Sequence, residues 1–225
     1  GDVRFFNQDA ELAITVEPID GTKQYRDRDG NGYCVMLQLQ MPDDVQYSLV
    51  YVPETGEHGT WTEVKNGQIF CGEDDLSRSA PSVLSEMEPW NSRRQEDSKR
   101  IYMIGFQDKD PDKAASLSEI GLEGVISANM PGSIYPLMAT GEFAGSLIHS
   151  PNIYDFPASM QIARSLGGDA LWVHNQEPVH FNDLWMDDRA SMLRLPGVVA
   201  CSPDRDMLTA MCEHAKDWNR TRYAD

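Results

Sequence analysis

The chain has 225 residues, 40% of them hydrophobic and 9% aromatic, enough to bury a substantial core in one large domain or two small ones. Its 36 acidic residues against 19 basic ones leave a formal charge of −17, which excludes a surface built for nucleic-acid polymers or anionic membranes. Cys34, Cys71, Cys201 and Cys212 are scattered with no CxxC pair, and no apolar stretch reaches spanning length. A reduced, cytoplasmic chain without structural zinc is therefore expected.

In chain order, Leu12-Ala13-Ile14-Thr15-Val16 predicts a short buried strand, stopped at Pro18, which has no N–H for the ladder. Tyr33–Gln40 and Tyr47–Val52 read as strands joined by the turn residues Met41-Pro42-Asp43-Asp44, and Thr60–Val64 and Gln68–Cys71 as a second hairpin across Lys65-Asn66-Gly67. Gly72–Lys99 is polar and is read as the least ordered stretch or as a connection between subdomains. Beyond it come a strand at Arg100–Phe106, a helix at Asp112–Ile120 and a helix at Ile134–Thr140 stopped by Gly141. A strand at Phe143–His149 and an amphipathic helix at Phe156–Leu166 follow, the helix stopped by Gly167-Gly168. Ala170–Val173 and Gly197–Ser202 are strand candidates, and a last helix runs from Asp204 to about Trp218. This order gives an α/β or α+β chain, with a β-rich half at 1–99 and an α/β half at 100–225.

The hexapeptide Glu17-Pro18-Ile19-Asp20-Gly21-Thr22 carries the chemistry. Two carboxylates three residues apart, beside backbone amides and a hydroxyl, suit Mg²⁺ and a phosphate; the same residue types also make an ordinary Pro/Asp/Gly turn. Bound divalent cations would reverse the repulsive field of so acidic a chain locally.

With "PGSIYPLMATGEFAGSLIHSPNIYDFPASMQIARSLGGDALWV" downstream, the order of motifs resembles the inositol monophosphatase superfamily of Mg²⁺-dependent, Li⁺-sensitive phosphatases. The family pattern is DP(I/L)DGT, a GS segment, and WDxAAG heading a helix that ends in a GG pair. The DGTKQY continuation looks nearest the phosphoadenosine-phosphate phosphatase branch. The resemblance implies a layered αβαβα sugar-phosphatase fold and two or three Mg²⁺ ions, with Li⁺ as inhibitor. The implied metal ligands are Glu17, the Ile19 carbonyl, Asp20 and Asp155. Asp20 and Thr22 would serve catalysis, Thr22 by positioning the attacking water. Gly21, Thr22, Gly132, Ser133 and His149 would face substrate. The implied partner is a small phosphorylated metabolite: an inositol phosphate, a nucleotide 3′-phosphate or a sugar phosphate. A homodimer is the assembly that the family suggests.

The pattern departs in five places, one being that Ile148-His149-Ser150-Pro151-Asn152, before Asp155, lacks the acidic residue with which the inositol branch holds its substrate. Glu17 stands where the family has aspartate, Tyr154 replaces the usual Trp, and Pro157-Ala158-Ser159 replaces Ala-Ala-Gly. The family's N-terminal helices and metal-binding Glu-Glu segment would lie before Gly1, so the chain is read as N-terminally truncated. Two functions are therefore carried forward. One is a phosphomonoesterase working by metal-activated water; the other is a catalytically weakened homologue or fragment that binds or regulates. Asp27-Arg28-Asp29-Gly30-Asn31-Gly32 matches half of a calcium loop, but Gln38 holds its twelfth position and a plain turn is the alternative. Asp183, Asp187 and Asp188 beside Trp185 are read as a solvated loop, and Met103, Met130, Met138, Met160 and Met186 as packing residues.

Overall fold

The computed structural model describes residues 10–28, 32–95 and 97–224. Five strands, β1 (Ala13–Asp20), β2 (Cys34–Gln40), β3 (Val45–Val52), β4 (Thr60–Lys65) and β5 (Gln68–Glu73), form an antiparallel meander in sequence order. The alternation of inward and outward residues sets its register, with Leu37 opposite Val16 and Leu49, and Tyr51 opposite Val35 and Trp61. The first strand does not stop at Pro18. It runs on to Asp20 because it is an edge strand, where a missing N–H costs no ladder bond, and the irregularity falls between Glu17 and Asp20 as a shift in register.

A second sheet of five strands has the order β7-β6-β8-β12-β9, built from β6 (Arg100–Ile104), β7 (Glu123–Ile126), β8 (Gly145–His149), β9 (Asp169–Trp172) and β12 (Val198–Ser202). Strand β6 is parallel to β7 and β8, whereas β12 is antiparallel to β8 and β9. A small ribbon joins β10 (Trp185–Asp187) to β11 (Met192–Arg194).

Helices α4 (Ile134–Thr140) and α5 (Phe156–Ser165) lie between the sheets, while α3 (Asp110–Ser116) and α6 (Arg205–Ala215) cover the far side of the second sheet. The α5 segment is buried almost all round from Phe156 to Ala163, Ser159 and Gln161 included, with Phe156, Met160 and Ile162 fully buried, as a helix packed between two sheets requires. One core accordingly fills the space between the sheets and a second lies under α3 and α6. This is the layered mixed α/β architecture, in four layers of sheet, helices, sheet and helices among the described residues. The outer face of the first sheet carries exposed Ile14, Val16, Val35 and Leu37.

Other expectations shift in detail. The polar 72–99 stretch holds a helix, α2 (Ala80–Glu86), and a single 3₁₀ turn at Asn91–Arg93. The helix expected at Asp112–Ile120 starts earlier, at Asp110, and tightens to 3₁₀ after Ser116. The last helix begins at Arg205, where the Asp204 carboxylate caps it by accepting from the amides of Asp206 and Met207, and ends at Ala215. Met186 is an exposed methionine on the ribbon, not a packing residue. Asp29, Gly30 and Asn31 of the calcium-like loop lie outside the described residues; Gln38 is fully buried in β2 and bonded elsewhere. No helix among the described residues is long and apolar enough to cross a membrane.

Candidate active site

The end of β1 turns sharply at Gly21, whose φ is 75°. A Cβ there would stand 2.9 Å from the Tyr33 Cα, so only glycine fits. Beyond it a short helix, α1 (Thr22–Asp27), carries the chain away from the site. The Gly21 amide donates to Asp20 Oδ1 at 2.9 Å, and the Thr22 hydroxyl donates to the Ile19 carbonyl at 3.1 Å. The other carboxylate oxygen, Asp20 Oδ2, faces the hydroxyl of Tyr135 on α4 at 3.3 Å and the thiol of Cys34 on β2 at 3.8 Å. Thus the strand, the turn and two further elements converge on one carboxylate.

Asp155 heads α5, with Pro157 in the helix's first turn, where its missing N–H costs nothing. Asn152 shapes the approach: its Oδ1 accepts from the amides of Tyr154 and Asp155 while its Nδ2 donates to Asp155 Oδ2 at 2.7 Å. The first sheet holds the same loop from the other side. The Gln38 amide donates to the Tyr154 and Asp155 carbonyls, and the Gln40 amide to the Ile153 carbonyl at 2.8 Å. Both glutamines are buried on the inward face of β2, where alternation alone favours apolar residues.

Asp20 and Asp155 open on one cleft of about 440 Å³, whose wall also includes Gly21, Thr22, Gly132, Ser133 and His149. Burial raises the pKa of both aspartates; for Asp155 the Asp20 charge raises it further. The same environment pushes up Cys34, Tyr102 and Tyr135, through burial first and the Asp20 charge second. Two carboxylates crowded in a low-dielectric cleft are held apart from their normal ionisation for want of positive charge. A hard divalent cation supplies that charge, and Mg²⁺ in particular binds through one or two carboxylates plus waters and substrate phosphate. The donor set fits Mg²⁺ in that sense, although among the described residues no three His, Cys, Asp or Glu side chains converge into a ready cage. Glu17 is half-buried, its pKa raised by burial and by Asp20, and it stands outside the cleft wall; so does Ile19.

Ser133 precedes α4 and is buried, its hydroxyl 3.7 Å from the Cys34 sulfur. His149 ends β8 as part of the cleft wall, but both its ring nitrogens are engaged within the chain. Nε2 lies 3.1 Å from the Asn219 carbonyl and Nδ1 2.9 Å from the Ser150 hydroxyl. The carbonyl can only accept, so Nε2 carries the proton and Nδ1 accepts from Ser150. Burial, then the nearby Arg222 charge, lower the His149 pKa to about 4.

Two basic residues of the cleft wall were not found in the sequence. Arg194 donates to Asp187 at 2.7 Å and to the Ser150 carbonyl at 3.0 Å, and Arg222 donates to the His149 carbonyl. Asp187 is therefore no part of a solvated loop. It is 1% exposed and also accepts from the Tyr223 hydroxyl at 2.8 Å. Asp187 and Arg194 sit in opposed strands of one ribbon, a pairing that strand periodicity could have suggested had the three-residue strands been read.

The family model for the inositol monophosphatase family matches residues 6–217. The chain belongs to the inositol monophosphatase family. Solved structures agree in fold with this family member. CysQ from Bacteroides thetaiotaomicron, a bacterial member of the inositol monophosphatase family, superposes with a TM-score of 0.63 at 16% identity, covering 88% of this chain and 72% of that one. An inositol monophosphatase from Zymomonas mobilis gives 0.62 at 15% identity, over 92% and 71%. Inositol monophosphatase from Anabaena (Nostoc) sp. PCC 7120 gives 0.60 at 15% identity, over 95% and 75%. No curated protein matches the sequence. Family membership supports a phosphatase of small phosphorylated substrates.

Proposed function

We propose that this chain is a Mg²⁺-dependent phosphomonoesterase acting on a small phosphorylated metabolite. The observation that carries the reading is the pair Asp20 and Asp155, two half-buried carboxylates opening on one cleft, both with pKa values raised by desolvation and that of Asp155 raised further by the Asp20 charge. One structural neighbour is an IMPase/NADP phosphatase complexed with Mg²⁺ and phosphate, and another is SaIMPase-II bound to inositol monophosphate. Both point to the same chemistry here.

Asp20 and Asp155 would hold the metal, with the Ile19 carbonyl and Glu17 as further ligands on the first strand. When bound, Mg²⁺ supplies Lewis acidity toward water and neutralises phosphate charge. The chain itself positions the reactants. The Thr22 hydroxyl, fixed by the Ile19 carbonyl, stands at the cleft wall where an attacking water needs a partner. Gly132 and Ser133 line the same cleft, and the Ser133 hydroxyl donates only to the Cys34 sulfur, a weak acceptor, among the described residues. The buried Tyr135 hydroxyl donates to Asp20 and keeps that carboxylate turned into the cleft. The phosphoadenosine-phosphate branch is the nearest candidate for the substrate, and Li⁺ is the expected inhibitor.

A second reading follows from Glu17. It lies outside the cleft wall, and no third acidic side chain completes a cage among the described residues. A binding or regulatory protein that retains the fold with weakened catalysis fits that arrangement. Phosphate release measured with inositol monophosphate, adenosine 3′,5′-bisphosphate and fructose bisphosphate, with Mg²⁺ titrated and Li⁺ added, separates the two. Mg²⁺-dependent turnover supports the enzyme. Heat-detected binding of Mg²⁺ or substrate with no phosphate released supports the binding protein.

A further inference from the structure

Beyond α6 the chain turns back to the catalytic cleft. Trp218 stands edge-on to Phe106 with 5.2 Å between ring centroids, the Asn219 carbonyl accepts from His149 Nε2, and the Tyr223 hydroxyl donates to Asp187. These three moorings bracket Arg222. Its side chain lies between the cleft and a second cavity of about 520 Å³, and both walls include Gly105, His149 and Arg222. Gly105 makes the passage possible. Its φ is +100°, and a Cβ there would meet the Arg222 Nη1 at 2.8 Å and the His149 carbonyl oxygen at 2.6 Å.

Lys23, Arg194 and Arg222 are the lysine and arginine side chains of the cleft wall among the described residues, and they are not equivalent. Lys23 is exposed on α1, where water solvates its charge. Every guanidinium nitrogen of Arg194 is engaged: Nε on Asp187, Nη1 on the Ser150 carbonyl and Nη2 on the Met192 sulfur at 3.5 Å. Arg222 is half-buried and has no ion-pair partner within 4.0 Å among the described residues. Its Nη1 donates to the His149 carbonyl, while its Nε is buried with no hydrogen-bond partner among those residues. Tyr223 and the more distant Asp187 favour its charge, and Asp110 lies within its field; burial and then Arg194 outweigh them and lower its pKa. In a chain whose acids outnumber its bases 36 to 19, this guanidinium is left short of both water and carboxylate.

We propose that Arg222 is a phosphate-binding residue of the active site: its guanidinium takes oxygens of the same phosphate that the metal holds, which makes the C-terminal tail part of the site. Resting on the phosphatase reading, this role adds to it a residue that lies outside every motif of the sequence. Asp20 and Asp155 give the cleft an anionic part that draws a metal ion, and Arg194 and Arg222 give it a cationic part. A phosphate held by the metal on one side meets positive charge on the other. Arg194 contributes field alone, its nitrogens being spent; Arg222 keeps donors in a planar fork that matches phosphate oxygens.

Calorimetric titration of the full chain with inorganic phosphate, in saturating Mg²⁺ and again in EDTA, tests the role. Arg222→Gln should weaken phosphate binding about tenfold or more, and Arg222→Lys should recover part of the loss, because an ammonium keeps the charge without the fork. Phosphate affinity of the parent chain should fall as salt rises, and that of Arg222→Gln less steeply. Mg²⁺ affinity measured without phosphate should stay within about twofold of the parent in both variants, whereas a tail that only props the cleft would weaken both ligands together. Circular dichroism verifies folding. If Arg222→Gln does not fold, Arg222→Lys decides, with a loss of about threefold or more expected and an unchanged affinity overturning the role. Phosphate affinity unmoved in Arg222→Gln also overturns it, as do matched losses of Mg²⁺ and phosphate, or no phosphate binding by the parent chain in either medium. Arg222-dependent phosphate binding with no phosphate released from any monoester upholds the role and sinks the phosphatase reading; turnover with phosphate affinity and KM unmoved in Arg222→Gln does the reverse.

Discussion

Gln38 on β2 and Asp155 at the head of α5 are joined by a hydrogen bond of 3.3 Å from the glutamine amide to the aspartate carbonyl. The same amide reaches the Tyr154 carbonyl at 3.0 Å, so the first sheet dictates where the second carboxylate of the site stands. Coupling of this kind matters because a metal ligand is only as well placed as the backbone that carries it.

Gln38→Leu should therefore do more than disturb packing. It leaves two carbonyls without their donor, at a cost of about 1–3 kcal/mol in urea unfolding. It should also weaken Mg²⁺ binding by about 10- to 100-fold, measured by calorimetric titration. A stability loss with unaltered Mg²⁺ affinity would show that Gln38 supports the fold and not the site.

Asp20→Asn and Asp155→Asn should each lower phosphate release by about a hundredfold or more under saturating Mg²⁺. In chelator the same substitutions should behave differently. Each removes one of two half-buried charges that repel each other, so melting temperature should hold or rise by a few degrees against the parent chain. Differential scanning fluorimetry with EDTA and with Mg²⁺ reads both halves of the prediction; melting that falls sharply in EDTA would contradict it.

His149 gives a pH dependence whose sign follows from its depressed pKa of about 4. An unfolded histidine titrates near 6.5, so between those values the unfolded chain binds the proton and the folded one does not. The contribution is fully present above about pH 6.5 and is lost as pH falls toward 4, up to about 3 kcal/mol. His149→Gln should flatten the melting-temperature curve across that window. A variant with the same acid slope as the parent would place the loss elsewhere.

Arg194→Met should destabilise the chain by about 3–5 kcal/mol, because it strands the Asp187 carboxylate in a buried position. Although burial pushes the Asp187 pKa up, Tyr223 and Arg194 hold it below the usual carboxylate range. Asp187→Leu/Arg194→Met together should recover most of the loss, since two apolar side chains leave no charge to solvate. Urea denaturation of the two variants side by side makes the comparison.

The sequence revealed what short-range pattern encodes. Alternation located β2 through β5, glycine stops located α4 and α5, and the order of the EPIDGT, GS and YDFPAS segments brought Asp20, Ser133 and Asp155 to one cleft. What escaped it depends on partners distant in the chain. Gln38 and Gln40 are polar residues turned inward to meet a loop more than a hundred positions away. Asp187 resembled solvated acid because Arg194 and Tyr223, which neutralise and cap it, belong to other segments. Strand β7 has only four residues, and its Gly124 is needed because Ala114 of α3 packs where a side chain would go. Arg222 belongs to no regular element at all; only the tail's return past β8 sets it between the two cavities.

The apolar outer face that the described residues of the first sheet present makes the chain's acidity a colloidal guard. Among the described residues, Ile14, Val16, Val35 and Leu37 offer an apolar, twisted plane that ends in an unpaired edge strand, the geometry through which β-proteins stick to one another. A formal charge of −17 keeps molecules apart only while its field extends beyond contact range, about 10 Å at 0.1 M salt and about 3 Å at 1 M. Salting-out therefore begins at this face. Dilute buffer well above the isoelectric point, and not high ionic strength, is the medium in which the protein stays dispersed.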